Sequence, residues 1–125
     1  MDINEISFLI RGAIFEVFKT LGPDLLESVY ERALVHELLA KDLRVATQVG
    51  IPVRYKNQEL DLGFRMDILV EDAIIIEVKS IEAIHDVHKK QLLTYLKLAD
   101  KKLGILVNFN TVSLVDKESL IRIIN

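Results

Sequence analysis

Two carboxylates and an amine, Asp67, Glu77 and Lys79, stand inside otherwise apolar sequence. Asp67 belongs to Arg65-Met66-Asp67-Ile68-Leu69-Val70. After a short break comes Ile74-Ile75-Ile76-Glu77-Val78-Lys79. Both stretches read as β-strands, and period-two alternation puts Glu77 and Lys79 on one face with Val78 on the other. Charges at the end of a hydrophobic strand are unfavourable unless something compensates them. A divalent metal and a phosphate would do so, which points to phosphodiester chemistry.

Pairing the two strands as a hairpin about Glu71-Asp72 sets Asp67 opposite the Glu77 region, so two carboxylates converge. Such a pair suits Mg²⁺ or Mn²⁺, which take hard oxygen ligands and keep several waters. The Val78 carbonyl is a candidate third oxygen ligand. Lys79 is placed to orient or deprotonate an attacking water and to balance phosphate charge. The structural alternative is a Glu77–Lys79 ion pair at a strand end, with Asp67 capping a turn.

Helices must bring any further groups. Glu27 and Glu31 lie four residues apart on one helical face, and that stripe continues into Leu34 and Leu38, so it points inward. Glu27 also has a plain structural explanation, a capping box with Asp24. On a later helix, His88, Gln91 and Tyr95 share a face. A histidine there is more often structural than a ligand.

The elements themselves follow from periodicity. Ile6, Leu9, Ile10, Ala13, Ile14, Val17 and Phe18 form a 3.6-period stripe. Asp2 with Glu5 suits its start and Gly22-Pro23 its end. A second helix is expected from Leu25 to Lys41. Strands are expected over Val45–Tyr55, Leu60–Val70, Ala73–Lys79 and Leu103–Phe109, with a hairpin turn at Lys56-Asn57-Gln58. In the second of these, Leu60 to Val70 alternates, with Asp67 opposite the apolar face. A third helix is expected over Ile84–Ala99, and Ser113–Asn125 forms a short tail that adds a strand. The order α-α-β-β-β-α-β plus a C-terminal element describes a three-layer α/β domain.

Composition narrows the classes. A chain of 125 residues, 50% hydrophobic and 28% charged, fits one globular domain and excludes disorder. It has no cysteine, which rules out disulfides, thiolate metal sites and cysteine nucleophiles. No apolar run approaches the about 20 residues of a membrane span, and the acidic start lacks a secretory signal's basic residues. A cytoplasmic, membrane-free protein is expected. The net charge of −3 argues against bulk nucleic-acid binding, although an acidic metal site offsets basic residues in the sum. Lys89, Lys90, Lys97, Lys101 and Lys102 cluster late in the chain and read first as a solvated helix face.

Taken together these residues resemble the PD-(D/E)XK nuclease superfamily, in which a helix acid precedes Asp, then Glu-x-Lys, then a glutamine on the next helix. Here those are Glu27 or Glu31, Asp67, Glu77, Lys79 and Gln91. More narrowly, Gly22–Glu31 is similar to the namesake segment of the bacterial GxxExxY proteins, as are Gly63–Asp67, Ile76–Lys79, His88–Lys97 and Gly104–Phe109. Asp24 stands where that motif has its first glycine; as a good capping residue it is expected to do little harm. The resemblance implies a restriction-endonuclease-like core, a mixed β-sheet flanked by helices, and a metal-dependent nuclease. Asp67, Glu77 and the Val78 carbonyl would bind Mg²⁺ or Mn²⁺, and Lys79 would position water. Glu27, or Glu31 as second choice, would steer a further metal or water, and Gln91, with Tyr95, would orient the lysine or a phosphate. The partner is nucleic acid, DNA before RNA. The alternative is a nuclease-fold module that binds nucleic acid or protein without cutting. A homodimer through the Ile6–Phe18 helix and the tail Leu120–Ile124 is a further expectation, against the simpler one that both complete the core.

Overall fold

The computed structural model describes residues 1–125. Helix α1 (Ile3–Leu21) is capped by Asp2, whose side chain accepts from the Glu5 N–H at 2.9 Å, and it ends at Gly22 with φ 66°. Its stripe Ile6, Ile10, Ala13, Ile14 and Val17 is buried. Helix α2 (Glu27–Ala40) buries Tyr30, Leu34 and Leu38. It starts later than expected, and its N-cap is Leu26, without a side-chain bond. The Asp24–Glu27 capping box does not form. Asp24 adopts φ 73°, and the Leu25 N–H is taken by the Tyr30 hydroxyl at 3.2 Å.

The strands expected over Val45–Tyr55 and Leu60–Val70 are each divided. β1 (Val45–Gly50) and β2 (Val53–Tyr55) part at Pro52, which has no N–H for a ladder. β3 (Gln58–Leu60) and β4 (Arg65–Val70) part around Gly63, with φ 65°. β2 and β3 pair only with each other, about a turn in which Lys56 and Asn57 both have positive φ, 48° and 64°. That is the twist a two-residue hairpin requires. β5 (Ile74–Lys79), α3 (Asp86–Ala99), β6 (Leu103–Asn108) and β7 (Leu120–Ile124) complete the chain.

The main sheet runs β1-β4-β5-β6-β7. Only β5 and β6 are parallel, and α3 makes the crossover between them. One face packs Ile68, Val70, Ile74, Ile76, Val78, Ile105 and Val107 against α1 and α2. The other packs Met66, Leu69, Ile75 and Leu106 against Leu92, Tyr95 and Leu96 of α3. Here α3 comes so close that a Cβ on Gly104 would stand 2.8 Å from the Leu92 side chain. This is the three-layer, restriction-endonuclease-like α/β arrangement, with the C-terminal tail supplying its last strand. The apolar stripe of α1 and strand β7 are both used inside the chain, as the simpler expectation had it. No helix is long and apolar enough to cross a membrane.

Candidate active site

β4 and β5 pair through Val70↔Ile74, Leu69↔Ile75 and Ile68↔Ile76 about a three-residue turn, Glu71-Asp72-Ala73, so β5 starts one residue later than expected. Continued by one step, it places Asp67 opposite Glu77, and there the backbone ladder stops. Side chains take over its bonds. The Asp67 N–H donates to Glu77 Oε2 at 2.9 Å, and the Val78 N–H donates to Asp67 Oδ2 at 2.8 Å. Each carboxylate commits one oxygen to a strand N–H.

The alternation expected along β4 also breaks here. Ile68 packs toward α2 while Met66, two residues earlier, packs toward α3. Across from Asp67, Gln48 of β1 has φ 51° and no paired residue, although Thr47↔Ile68 and Val49↔Met66 hold on either side. Asp67 therefore does not sit opposite one continuous apolar face. It lines a cleft of about 210 Å³ with Glu27, Ser28, Glu31, Gln48 and Val78.

Both helix acids reach that cleft in different states. Glu27, at the start of α2, is exposed and accepts from the Ser80 N–H at 3.3 Å. Glu31, half-buried, accepts from Gln48 Nε2 at 2.8 Å. Lys79 leaves β5 on the Glu77 side, with Nζ 3.4 Å from Gln91 Oε1, and Gln91 Nε2 donates to the Tyr95 hydroxyl at 3.2 Å. His88 is not part of this chain. Its Nδ1 accepts from the His85 N–H at 2.9 Å and closes the start of α3.

The electrostatics follow from burial. Glu77 is 4% exposed, and burial followed by the Asp67 charge pushes its carboxyl up to about 8. Burial also raises Asp67, against the Val78 N–H and the Lys79 charge, which both favour its anion. Glu31 is raised by burial as well, opposed by the Gln48 bond. Two acids that repel in a low-dielectric site retain a proton at neutral pH. An added cation would reverse that preference.

The donor set suits a hard cation. No group of three or more His, Cys, Asp or Glu side chains is arranged to hold a metal ion. A third oxygen is nevertheless at hand in the backbone. The Lys79 carbonyl accepts from the Phe109 N–H on the β6 side, whereas Val78 turns its N–H to Asp67. A strand residue points its N–H and C=O to the same side, so the Val78 carbonyl faces the gap between β4 and β5. A second oxygen from each carboxylate, one carbonyl and water would make a set of the kind Mg²⁺ or Mn²⁺ accepts.

Two positioning residues, Tyr30 and Asn108, lie inside segments that carry the resemblance, Gly22–Glu31 and Gly104–Phe109, without standing out there as site residues. Tyr30 is fully buried, stacks on Phe109 with ring centroids 4.5 Å apart, and donates from its hydroxyl to the Gly22 carbonyl at 2.5 Å. It thereby fixes the turn that delivers Glu27. Asn108, 3% exposed at the end of β6, bonds the Ile81 N–H and C=O and the Asn110 N–H, holding the chain just beyond Lys79. The signal for Tyr30 is its place in the Gly22–Glu31 segment, and that for Asn108 is an asparagine inside the apolar run Val107-Asn108-Phe109.

Residues 4–123 match the family described as the PD-(D/E)XK nuclease superfamily. That span is nearly the whole chain, and the protein belongs to this superfamily. No curated protein and no solved structure gave a match. Membership accounts for the nuclease-like fold and implies interaction with nucleic acid; nucleases of this superfamily generally use divalent metals.

Proposed function

We propose that this member of the PD-(D/E)XK superfamily is a metal-dependent nuclease that hydrolyses phosphodiester bonds, with DNA as its first substrate and a cytoplasmic setting. Asp67, Glu77 and the Val78 carbonyl would hold Mg²⁺ or Mn²⁺. Bound there, the ion supplies Lewis-acid stabilisation of charge developing on the phosphoryl group. Lys79, oriented by Gln91 and through it by Tyr95, sets the water and offsets phosphate charge. Glu27 is the better candidate for the helix acid, because it is exposed and accepts only a long 3.3 Å bond from the Ser80 N–H, whereas Glu31 is half-buried and held by Gln48 at 2.8 Å. The supporting observation is the pair of reciprocal carboxylate-to-backbone bonds between Asp67 and the Glu77–Val78 segment. We also assign the chain to the GxxExxY group. Asp24 supports this despite replacing the first glycine of the motif: its φ of 73° keeps the left-handed turn that glycine favours.

The test is magnesium-dependent cleavage of DNA and RNA by pure protein beside Asp67→Asn and Lys79→Ala. Loss of cleavage in both variants is expected. Equal activity in all three would trace the cutting to a contaminant and remove the assignment.

A second reading is a nuclease-fold module that binds without cutting. The net charge of −3 and the lack of a three-side-chain metal cluster favour it. It predicts no uptake of Mg²⁺ or Mn²⁺ at millimolar concentration. A homodimer would have to use exposed residues such as Phe8 and Ile124, and sedimentation tests it.

A further inference from the structure

The β2–β3 hairpin has no role in either core. It forms its own two-stranded sheet, and every residue of it except Val53 is exposed. Its place is specific. The β1–β4 ladder ends at Gly50↔Arg65, two residues beyond Gln48 and Asp67 of the cleft, and the hairpin grows from that end. Its root is fastened. The Ile51 N–H donates to the Phe64 carbonyl at 2.9 Å, Ile51 is buried, and the Phe64 ring meets the Tyr95 ring at 5.5 Å. The arm is thus anchored to the same tyrosine that positions Gln91.

The outgoing strand and the tip carry Arg54, Tyr55 and Lys56. Tyr55 is 61% exposed, with the Lys56 ammonium 5.4 Å from its ring centroid. Glu59 lies across the ladder from Arg54, yet no ion pair forms between them. Alternation puts Tyr55 on the same face as Val53, Gln58 and Leu60. An aromatic face flanked by unpaired cations is the combination that binds polynucleotide strands. Bases of any sequence stack on the ring, and the cations meet the phosphates. From Gln48 to Tyr55 an extended chain reaches at most roughly 23 Å, a span of several nucleotides of one strand.

We propose that the β2–β3 hairpin is a nucleic-acid-engaging arm, on which Tyr55 stacks an unpaired base of the strand entering the cleft while Arg54 and Lys56 contact its phosphates. This rests on the nuclease reading for the strand's path, but not on catalysis. The hairpin's exposure makes loss of the ring tolerable to the fold, and thermal melting of each variant checks that.

The test is fluorescence anisotropy with a labelled single-stranded oligothymidylate in excess EDTA, for the full chain and for Tyr55→Ala, Tyr55→Trp and Arg54→Ala/Lys56→Ala. Tyr55→Ala should weaken binding about tenfold and Tyr55→Trp should restore it. The double lysine–arginine variant should lower the dependence of log Kd on log salt by roughly 0.7 per lost phosphate contact. Binding by the parent without any magnesium-dependent cleavage, together with this pattern, would retain the arm and remove the nuclease. Cleavage by the parent with unchanged binding in all variants would retain the nuclease and overturn the arm, leaving the hairpin to a protein partner. Failure of the parent to bind the oligonucleotide would also overturn it.

Discussion

β4 and β5 have two halves built on one register and opposite in chemistry. In the closed half, Ile68–Val70 and Ile74–Ile76 pair through their backbones, and all six side chains are buried and apolar. In the open half, Asp67 and Glu77 keep the register but substitute their carboxylates for the missing backbone bonds. The closed half supplies cohesion, and the open half keeps two acids near each other in a place that discourages their charge. A ladder that closed fully would leave no gap for the Val78 carbonyl to face.

That contrast can be broken from either side. The largest effect belongs to the closed half. Ile76→Ala opens a cavity beneath α1 and α2 and should cost about 3 kcal/mol in denaturant unfolding. Metal affinity of the remaining folded protein should be little changed.

The open half should show itself in pH dependence. With the Glu77 carboxyl raised to about 8 in the folded chain from its ordinary value of 4.5, the folded state binds the proton more tightly than the unfolded state. Stability from this group is therefore full below about pH 4.5, falls as pH rises, and levels above about pH 8. Glu77→Gln should flatten that decline when unfolding is followed across the range. An unchanged slope would locate the proton elsewhere.

Asp67→Asn should raise metal-free stability near neutral pH by about 1 kcal/mol, because it removes a carboxylate whose charge burial disfavours while its amide oxygen can still accept from Val78. The same change should abolish uptake of Mn²⁺. Gln91→Ala should alter stability least, within about 0.5 kcal/mol, since Gln91 is exposed. Its signature should be slower cleavage, read from single-turnover rates, as Lys79 loses its partner.

Much of this was legible in the sequence, because the closed half announces itself. An isoleucine run and a tight turn fix the register, and the register delivers Asp67 to Glu77. The order Glu27, Asp67, Glu77, Lys79, Gln91 also survives into one region of the fold. The departures come where local rules meet tertiary ones. Leu62 and Phe64 extend the alternation of β4, but Pro52 and Gly63 divide the strands and turn the intervening residues into an arm. Asp24 and Glu27 have the spacing of a capping box, yet the Asp24 N–H donates to Asn110 Oδ1 and Glu27 accepts from the Ser80 N–H instead. Nothing local marks the left-handed Gln48 or the shift of Met66 to the other face. These depend on two strands distorting together.

The most direct test is calorimetric titration of Mn²⁺ into the full chain and into Asp67→Asn, at about pH 6 and about pH 9, either side of the Glu77 value. Binding by the parent alone, tighter at the higher pH, is the predicted result. Absence of uptake by the parent at millimolar Mn²⁺, or equal uptake by Asp67→Asn, would contradict the claim that the open half of the β4–β5 ladder is a metal site.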